Sequence, residues 1–124
     1  MSTFIFRLPV YTLVSRSDKS VLMLCNENEK CPHLFTDNDL ALTYAEGIGV
    51  DDQYIAVTVR GRRQLIQFLR AAPKSVTHLL LDPTVRDARP QKAIRVSVSE
   101  LLSILLQRSG SRDVDLPSCG LRKI

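Results

Sequence analysis

The densest group of charged side chains is the run Arg60-Gly61-Arg62-Arg63, which stands where a helix is predicted to begin. Guanidinium groups at that position oppose the helix dipole, whose positive end lies at the N-terminus. An anion removes the conflict, because free backbone N–H groups and arginines together bind phosphate or carboxylate. We therefore predict a candidate anion-binding site, and its residues are Arg60, Gly61, Arg62, Arg63, Arg86 and Arg89.

The position of this arginine cluster depends on the ends of the strands. The carboxyl ends of parallel strands meet at one edge of a sheet, where ligands usually bind. Three predicted strand ends meet there: residues 36–39, 60–63 and 82–89. The alternative, which we favour, is that Asp37, Asp39 and Asp82 neutralise the arginines across that edge.

The cysteines and histidines do not form a recognisable reactive group. Cys25, Cys31 and His33 lie close in sequence, but a zinc site requires a second ligand pair, and only His78 and Cys119 remain. The chain has neither a Gly-x-Ser-x-Gly motif nor a glycine-rich phosphate loop with lysine. We predict no catalytic residue, no metal and no cofactor, and we favour a non-catalytic protein over an enzyme.

Composition places the 124-residue chain among globular proteins, with 44% hydrophobic and 24% charged residues. The apolar runs are too short to span a membrane, and the N-terminus does not resemble a secretory signal. An odd number of cysteines in such a chain indicates a reducing compartment, so we expect a cytoplasmic protein. Net charge is −4 over residues 1–59 and +8 over residues 60–124. That asymmetry favours internal neutralisation, head-to-tail association or a basic face that binds an anion.

Alternating hydrophobic patterns and capping residues predict the secondary structure. The expected elements are strands over 9–15 and 20–26, a short apolar segment at Leu34-Phe35, a helix over 36–46, a strand over 54–59, a helix over 62–72, strands over 76–81 and 93–96, and a helix over 98–108. Thr36 with Asp39, and Ser97 with Glu100, have the spacing of capping boxes. Residues 84–92 are predicted to form a polar loop.

This order predicts an α/β (α+β) fold: an N-terminal β-hairpin and a mixed sheet in the order β-α-β-α-β-β-α, on which about three helices pack. The helix crossovers imply parallel, right-handed pairing. We predict one domain over residues 1–108 and a loosely held C-terminal tail over residues 109–124.

Five segments resemble the N-terminal module of SseB-type (enhanced serine sensitivity) proteins, over about residues 9–107. They are Pro32-His33-Leu34-Phe35-Thr36-Asp37, the helix with Tyr44-Ala45-Glu46, the strand and helix that end at Leu69, Val76-Thr77-His78-Leu79-Leu80-Leu81-Asp82-Pro83 and the strand-helix from Ile94 to Leu106. The resemblance implies a small cytosolic α/β module, and it brings no catalytic residues. The tail lies outside it.

The functional prediction follows from an ordinary core without a reactive group. We predict a module that acts by protein–protein contact, with a protein partner or as a homodimer through a helix face or a sheet edge. The alternative is a module that binds an anion or nucleic acid with the arginine cluster. Nucleic acid is the less favoured ligand, because no stacking aromatics are interleaved with the arginines.

Overall fold

The structure, a computed structural model, describes residues 5–25, 30–107, 113–115 and 120–123. These residues form strands and three helices. In chain order the elements are β1 (Ile5–Arg7), β2 (Val10–Ser15), β3 (Met23–Cys25), β4 (Lys30–Leu34), α1 (Asn38–Gly47), β5 (Tyr54–Val59), α2 (Arg62–Ala71), β6 (His78–Leu81), β7 (Val85–Arg86), β8 (Arg89–Pro90), β9 (Lys92–Ser97), α3 (Val98–Gln107), β10 (Asp113–Asp115) and β11 (Gly120–Lys123).

A five-stranded mixed sheet, in the order β11-β9-β6-β4-β3, forms the centre of the fold. Strands β4 and β6 are parallel, and the other neighbours are antiparallel. A ribbon of β2 and β5 adjoins this sheet where the Tyr11 N–H donates to the Phe35 carbonyl at 2.8 Å. The Phe35 N–H donates back to the Tyr11 carbonyl at 2.7 Å. The predicted mixed α/β class is confirmed.

Helices cover both faces of the sheet because side chains along each strand alternate between the faces. Val10 and Leu34 point to the face covered by α2 and α3, where Leu65 and Leu101 are fully buried. Leu13 and Phe35 point to the other face, where Tyr44 and Ala45 of α1 cover them. The strand residues that lie between α1 on one face and α2 and α3 on the other therefore set the relative positions of the three helices.

The predicted N-terminal hairpin forms only at its turn. The Ser15 N–H donates to the Ser20 carbonyl, and the Leu22 N–H donates to the Leu13 carbonyl, both at 2.8 Å. Beyond the turn the strands separate, since β2 pairs with β5 and β3 pairs with β4. The parallel arrangement predicted for three successive strands holds for β4 and β6, whereas β5 is antiparallel to β2.

The prediction of a loop over residues 84–92 is wrong. Strands β7 and β8 form a small antiparallel hairpin in which Arg86 is opposite Arg89. Asp87 and Ala88 at its tip have φ values of 54° and 61°. Two successive residues with positive φ make the tight turn that joins such strands. Alanine is uncommon at positive φ, so the sequence carries little local signal for this turn.

The prediction of a loosely held C-terminal tail is wrong for the described parts of residues 109–124. Asp113–Asp115 pairs with β1, and Gly120–Lys123 pairs with β9 as the edge strand of the five-stranded sheet. Few apolar residues and no clear alternation mark these segments in the sequence. Their pairing is specified by the edges that distant strands present, which a local pattern does not reveal.

The N-cap of α1 is Asp37, one residue after the predicted Thr36. Its carboxylate accepts from the Asp39 N–H at 2.7 Å, as N-cap side chains do. Thr36 makes a different contact, with Asp82 of the neighbouring strand end. The cap of α3 is at the predicted residue, since the Ser97 hydroxyl accepts from the Glu100 N–H at 3.4 Å.

Gly47, the last residue of α1, leaves room for the side chain of Val85. A methyl group at Gly47 would lie 3.0 Å from Val85 Cγ1 and 3.1 Å from its Cβ. We expect Gly47→Ala to lower the free energy of unfolding by about 1 kcal/mol, because overpacking outweighs the gain in helix propensity. Urea unfolding checks this, and the same Gly47→Ala substitution should cost little when it is made in a Val85→Ala protein. A more stable Gly47→Ala protein would contradict the close approach.

Candidate functional site

An apolar pocket of about 270 Å³ lies between the end of α2 and strands β3 and β4. The α2 side is formed by Phe68 and the segment Ala71-Ala72-Pro73, and the sheet side includes Met23 and Pro32. Its lining residues are Ser20, Val21, Met23, Pro32, Phe68, Ala71, Ala72 and Pro73. Apart from the serine, every lining side chain is apolar.

The local sequence explains why this space stays open. Leu65 and Leu69 anchor α2 in the core, so that Phe68 lies at the flank of the buried face and is only partly buried. Helix α2 ends at Ala71, and Pro73 cannot extend the helical hydrogen bonding. Small alanines at the end of the helix therefore leave a space beside Met23, which is only partly buried, and Pro32, which is buried.

Two exposed lysines adjoin lining residues of the pocket in the chain. Lys19 precedes Ser20 and Lys74 follows Pro73, whereas Arg70 lies on the opposite side of α2 from Phe68. The Asp18 carboxylate accepts from the Ser20 N–H at 3.0 Å and from the Ser20 hydroxyl at 2.7 Å. These hydrogen bonds hold the pKa of Asp18 below its usual value, so the carboxylate remains charged and fixed to the turn.

A row of partly buried apolar side chains continues from the pocket across the sheet. Val21 of the pocket lies opposite Val14 of β2, and Val14 lies opposite Ile55 of β5. Residues directly opposite in antiparallel strands point to the same face. The next residue of β5 on that face, Val57, is 38% exposed. We call Val14, Val21, Ile55 and Val57 the apolar row.

The predicted anion site divides into parts with different surroundings. Arg60 and Arg63 are exposed at the start of α2, whereas Arg62 is partly buried and its Nη1 lies 3.5 Å from the Leu105 carbonyl of α3. Gly61 is the N-cap and has open space where a side chain would stand. The Arg60 N–H donates to the Gln64 side chain at 2.6 Å.

Arg86 and Arg89 lie on the hairpin of β7 and β8, away from this helix start. That hairpin contacts α1 through Val85 and Gly47, while α2 packs on α3. Both arginines are exposed. The structure therefore places the six predicted residues in two groups on two elements, and anion binding by either group stays a prediction.

Thr36 and Asp82 follow the parallel strands β4 and β6, and hydrogen bonds between them connect the ends of these two strands. The meeting of residues 36–39 and 82–89 at one edge of the sheet was predicted from the sequence. One carboxylate oxygen of Asp82 accepts from the Thr36 N–H at 2.7 Å, and the other accepts from the Thr36 hydroxyl at 2.8 Å. The Asp82 N–H donates to the Leu34 carbonyl at 2.8 Å. Both carboxylate oxygens of Asp82 are thus occupied by Thr36.

His33 and Tyr44 form a buried polar pair that the sequence did not indicate. His33 is 1% exposed, and its Nε2 lies 2.9 Å from the Tyr44 hydroxyl. Burial lowers the pKa of His33 to about 4 and raises the pKa of Tyr44 to about 12. Because both groups are neutral and enclosed near pH 7, they hold α1 against β4 and are not accessible to a substrate.

Among the residues that the structure describes, no group of three or more histidine, cysteine or acidic side chains is arranged to hold a metal ion. None of the described helices has the length and hydropathy that a membrane crossing requires. Within the described residues, the apolar pocket is a further candidate. Its residues were missed as a site because Phe68 and Ala72 have the spacing of core residues, and only the end of α2 relative to β3 and β4 exposes them.

No protein-family model matches this chain, and no curated protein matches it. The resemblance to SseB-type proteins therefore stays a prediction. The pocket is therefore the feature from which a function is proposed.

Proposed function

We propose that this protein is a cytoplasmic, non-catalytic interaction module that binds a partner protein by taking one apolar side chain into the pocket below α2. The observation that carries the proposal is an open cavity whose lining side chains are apolar apart from Ser20. Apart from Ser20, whose hydroxyl donates to Asp18, the lining offers no polar side chain to orient a reacting molecule. It offers instead the favourable burial of a hydrocarbon or aromatic group.

The size of the pocket favours a single side chain as its occupant. Pockets that enclose drug-sized ligands and cofactors start at about 300 Å³, and this pocket is slightly smaller at about 270 Å³. Protein interfaces commonly place an aromatic or aliphatic anchor in such a pocket, surrounded by a polar rim. A leucine or phenylalanine of the partner is the expected anchor.

The exposed charges beside the lining residues define the partner further. Lys19 and Lys74 are exposed next to Ser20 and Pro73 in the chain, and the Asp18 carboxylate, which accepts from Ser20, offsets one of the two positive charges. Opposite charges on the partner increase the rate of association and disfavour the wrong partners. The segment that binds should therefore carry acidic residues on either side of its apolar anchor.

Fluorescence anisotropy with labelled short peptides tests this function. The peptides have a central phenylalanine or alanine, flanked by glutamates or by lysines. We expect the phenylalanine peptide with glutamates to bind about tenfold to a hundredfold more tightly than its alanine counterpart, because burial of a large apolar side chain contributes about 1.5–3 kcal/mol. The lysine-flanked peptide should bind more weakly at low salt and approach the same affinity at high salt.

Two variants show whether the peptide occupies the pocket. Ala71→Glu places a carboxylate at its mouth and should abolish the preference for phenylalanine. Leu106→Glu is the matched control, since Leu106 is 57% exposed on α3 and does not line the pocket. Equal binding of the phenylalanine and alanine peptides to the unmodified protein would refute the proposed function.

A further inference from the structure

Strand β5 has an edge along which none of the described strands pairs. Its only partner in the part of the chain that the structure describes is β2. Sheet edges in natural proteins are usually protected by lysine, proline or a bulge. The segment Tyr54-Ile55-Ala56-Val57-Thr58-Val59 contains no charged residue and no proline, and it pairs with β2 in continuous register.

The hydrogen bonds of β2 show which backbone groups of β5 point outward. Tyr11 and Leu13 direct theirs away from β5, toward Phe35 and Leu22. Because these directions alternate along a strand, the residues between them, such as Thr12, bond to β5. Thr12 lies opposite Val57.

The backbone groups of Ala56 and Thr58, on either side of Val57, therefore point to the outer edge. Each of these two residues offers one donor and one acceptor there. The edge thus presents four polar backbone groups in the pattern that an incoming antiparallel strand requires.

We propose that a second copy of this chain pairs with β5, antiparallel across a two-fold axis beside Val57. In that register Ala56 lies opposite Thr58 of the second copy, and the two symmetric pairs form four hydrogen bonds. The two Val57 residues become a non-hydrogen-bonded pair, in which side chains approach most closely. The pairing therefore covers a valine that is 38% exposed in the single chain.

The charges that flank β5 specify the second copy and its direction. Asp51 and Asp52 precede the strand, Arg60 and Arg63 follow it, and all four are exposed. Antiparallel pairing brings the acidic end of each copy to the basic end of the other, whereas parallel pairing brings like charges together. The second copy thereby supplies carboxylates to the arginines whose position at the start of α2 suggested an anion.

Analytical ultracentrifugation of the full chain over a range of concentrations tests the proposal. We expect a reversible dimer whose Kd increases between about 50 mM and about 500 mM salt, because exposed charges are screened. Thr58→Pro removes an outward donor without affecting the bonds to β2, and Val57→Lys places charges at the axis. Each should increase the Kd at least about tenfold. Leu42→Lys, at a residue that is 41% exposed on α1, is the matched control and should leave the Kd unchanged.

Charge reversal supplies a test that does not alter the strand. The variants Asp51→Lys/Asp52→Lys and Arg60→Glu/Arg63→Glu should each dimerise weakly alone, since like charges then meet. An equimolar mixture should restore a heterodimer with an affinity near that of the unmodified protein. Circular dichroism confirms that each variant is folded.

A monomeric unmodified chain at about 100 µM would overturn the proposal, as would a dimer that neither the edge variants nor the charge reversals weaken. The outcome is separate from that of the peptide experiment. The pocket is lined by residues of α2, β3, β4 and the turn before β3, and none of β5. A monomer that binds the phenylalanine peptide would refute the dimer alone, and a dimer without peptide preference would refute the pocket alone.

Discussion

Replacing Asp82 with alanine is expected to lower the free energy of unfolding by about 3 kcal/mol, because two charge-assisted hydrogen bonds are lost and a strained backbone loses its compensation. Asp82 accepts from both the N–H and the hydroxyl of Thr36. Its φ is 50°, a left-handed conformation that aspartate and asparagine tolerate better than alanine. Equilibrium unfolding in urea measures the difference.

Asp82→Asn separates these effects. Asparagine tolerates the same φ and retains one oxygen to accept from the Thr36 N–H, so its cost should be about 1 kcal/mol. Thr36→Val removes only the hydroxyl contact, and its effect should not add fully to that of Asp82→Ala, because the two residues share one network. A loss below about 1 kcal/mol for Asp82→Ala would contradict a structural role for the junction.

This junction shows how one contact connects the sequence to the fold. The strand before Thr36 and the strand before Asp82 run parallel, and Asp82 joins their ends. Both strand ends are visible in the sequence as hydrophobic runs followed by polar residues. The bond between them spans 46 positions, and a sequence read locally assigns Thr36 to the helix cap instead. Asp37 takes that role because Thr36 is already bound.

Helix α2 was predictable because a single amphipathic face determines it. The spacing of Leu65 and Leu69 predicts burial, and both residues are buried in a helix that begins at the predicted Arg62. The pocket at its end was not predictable. It depends on how far the helix extends over β3 and β4, which follows from the packing of several segments and not from the periodicity of one.

Strand β5 itself was predictable from the sequence, but its pairing partner was not. The sequence predicts the strand over residues 54–59 and the arginines that follow it, and the structure has Tyr54–Val59 at those residues. Which neighbour the strand would take was not encoded locally. Two predicted helical crossovers favoured a parallel partner, but β2 pairs with β5 because the hairpin after Ser15 directs the chain away to β4. Among the described strands, none pairs with the opposite edge of β5.

The unfolding free energy is expected to fall by roughly 2 kcal/mol between about pH 7.5 and about pH 5 because of His33. Burial lowers its pKa to about 4, against 6.5 in an unfolded chain, while the hydrogen bond with Cys31 raises it by a smaller amount. The folded protein therefore binds the proton less readily than the unfolded chain. The contribution to stability is complete above pH 6.5 and decreases as the pH falls toward the folded pKa.

The geometry explains why the histidine remains neutral in the folded protein. Its Nδ1 lies 3.2 Å from the Cys31 carbonyl, which accepts only, so Nδ1 carries the proton. Nε2 then accepts from the Tyr44 hydroxyl at 2.9 Å. Protonation of Nε2 would require the Tyr44 hydroxyl to turn and accept, so that its own proton, which stays bound because burial raises the pKa of Tyr44 to about 12, would lose its acceptor. It would also place a charge in an enclosed site that includes Phe35.

Urea unfolding across this pH range, with two sets of variants, assigns the dependence to His33. The double variant His33→Leu/Tyr44→Phe removes both polar side chains together, so neither is left without the other and only the Cys31 carbonyl loses a donor, and its stability should change little with pH. His78→Gln is the matched control, because His78 is only partly buried, and the decrease should persist there. If the double variant retained the decrease and His78→Gln lost it, the pH dependence would belong to His78, and the buried pair would contribute packing alone.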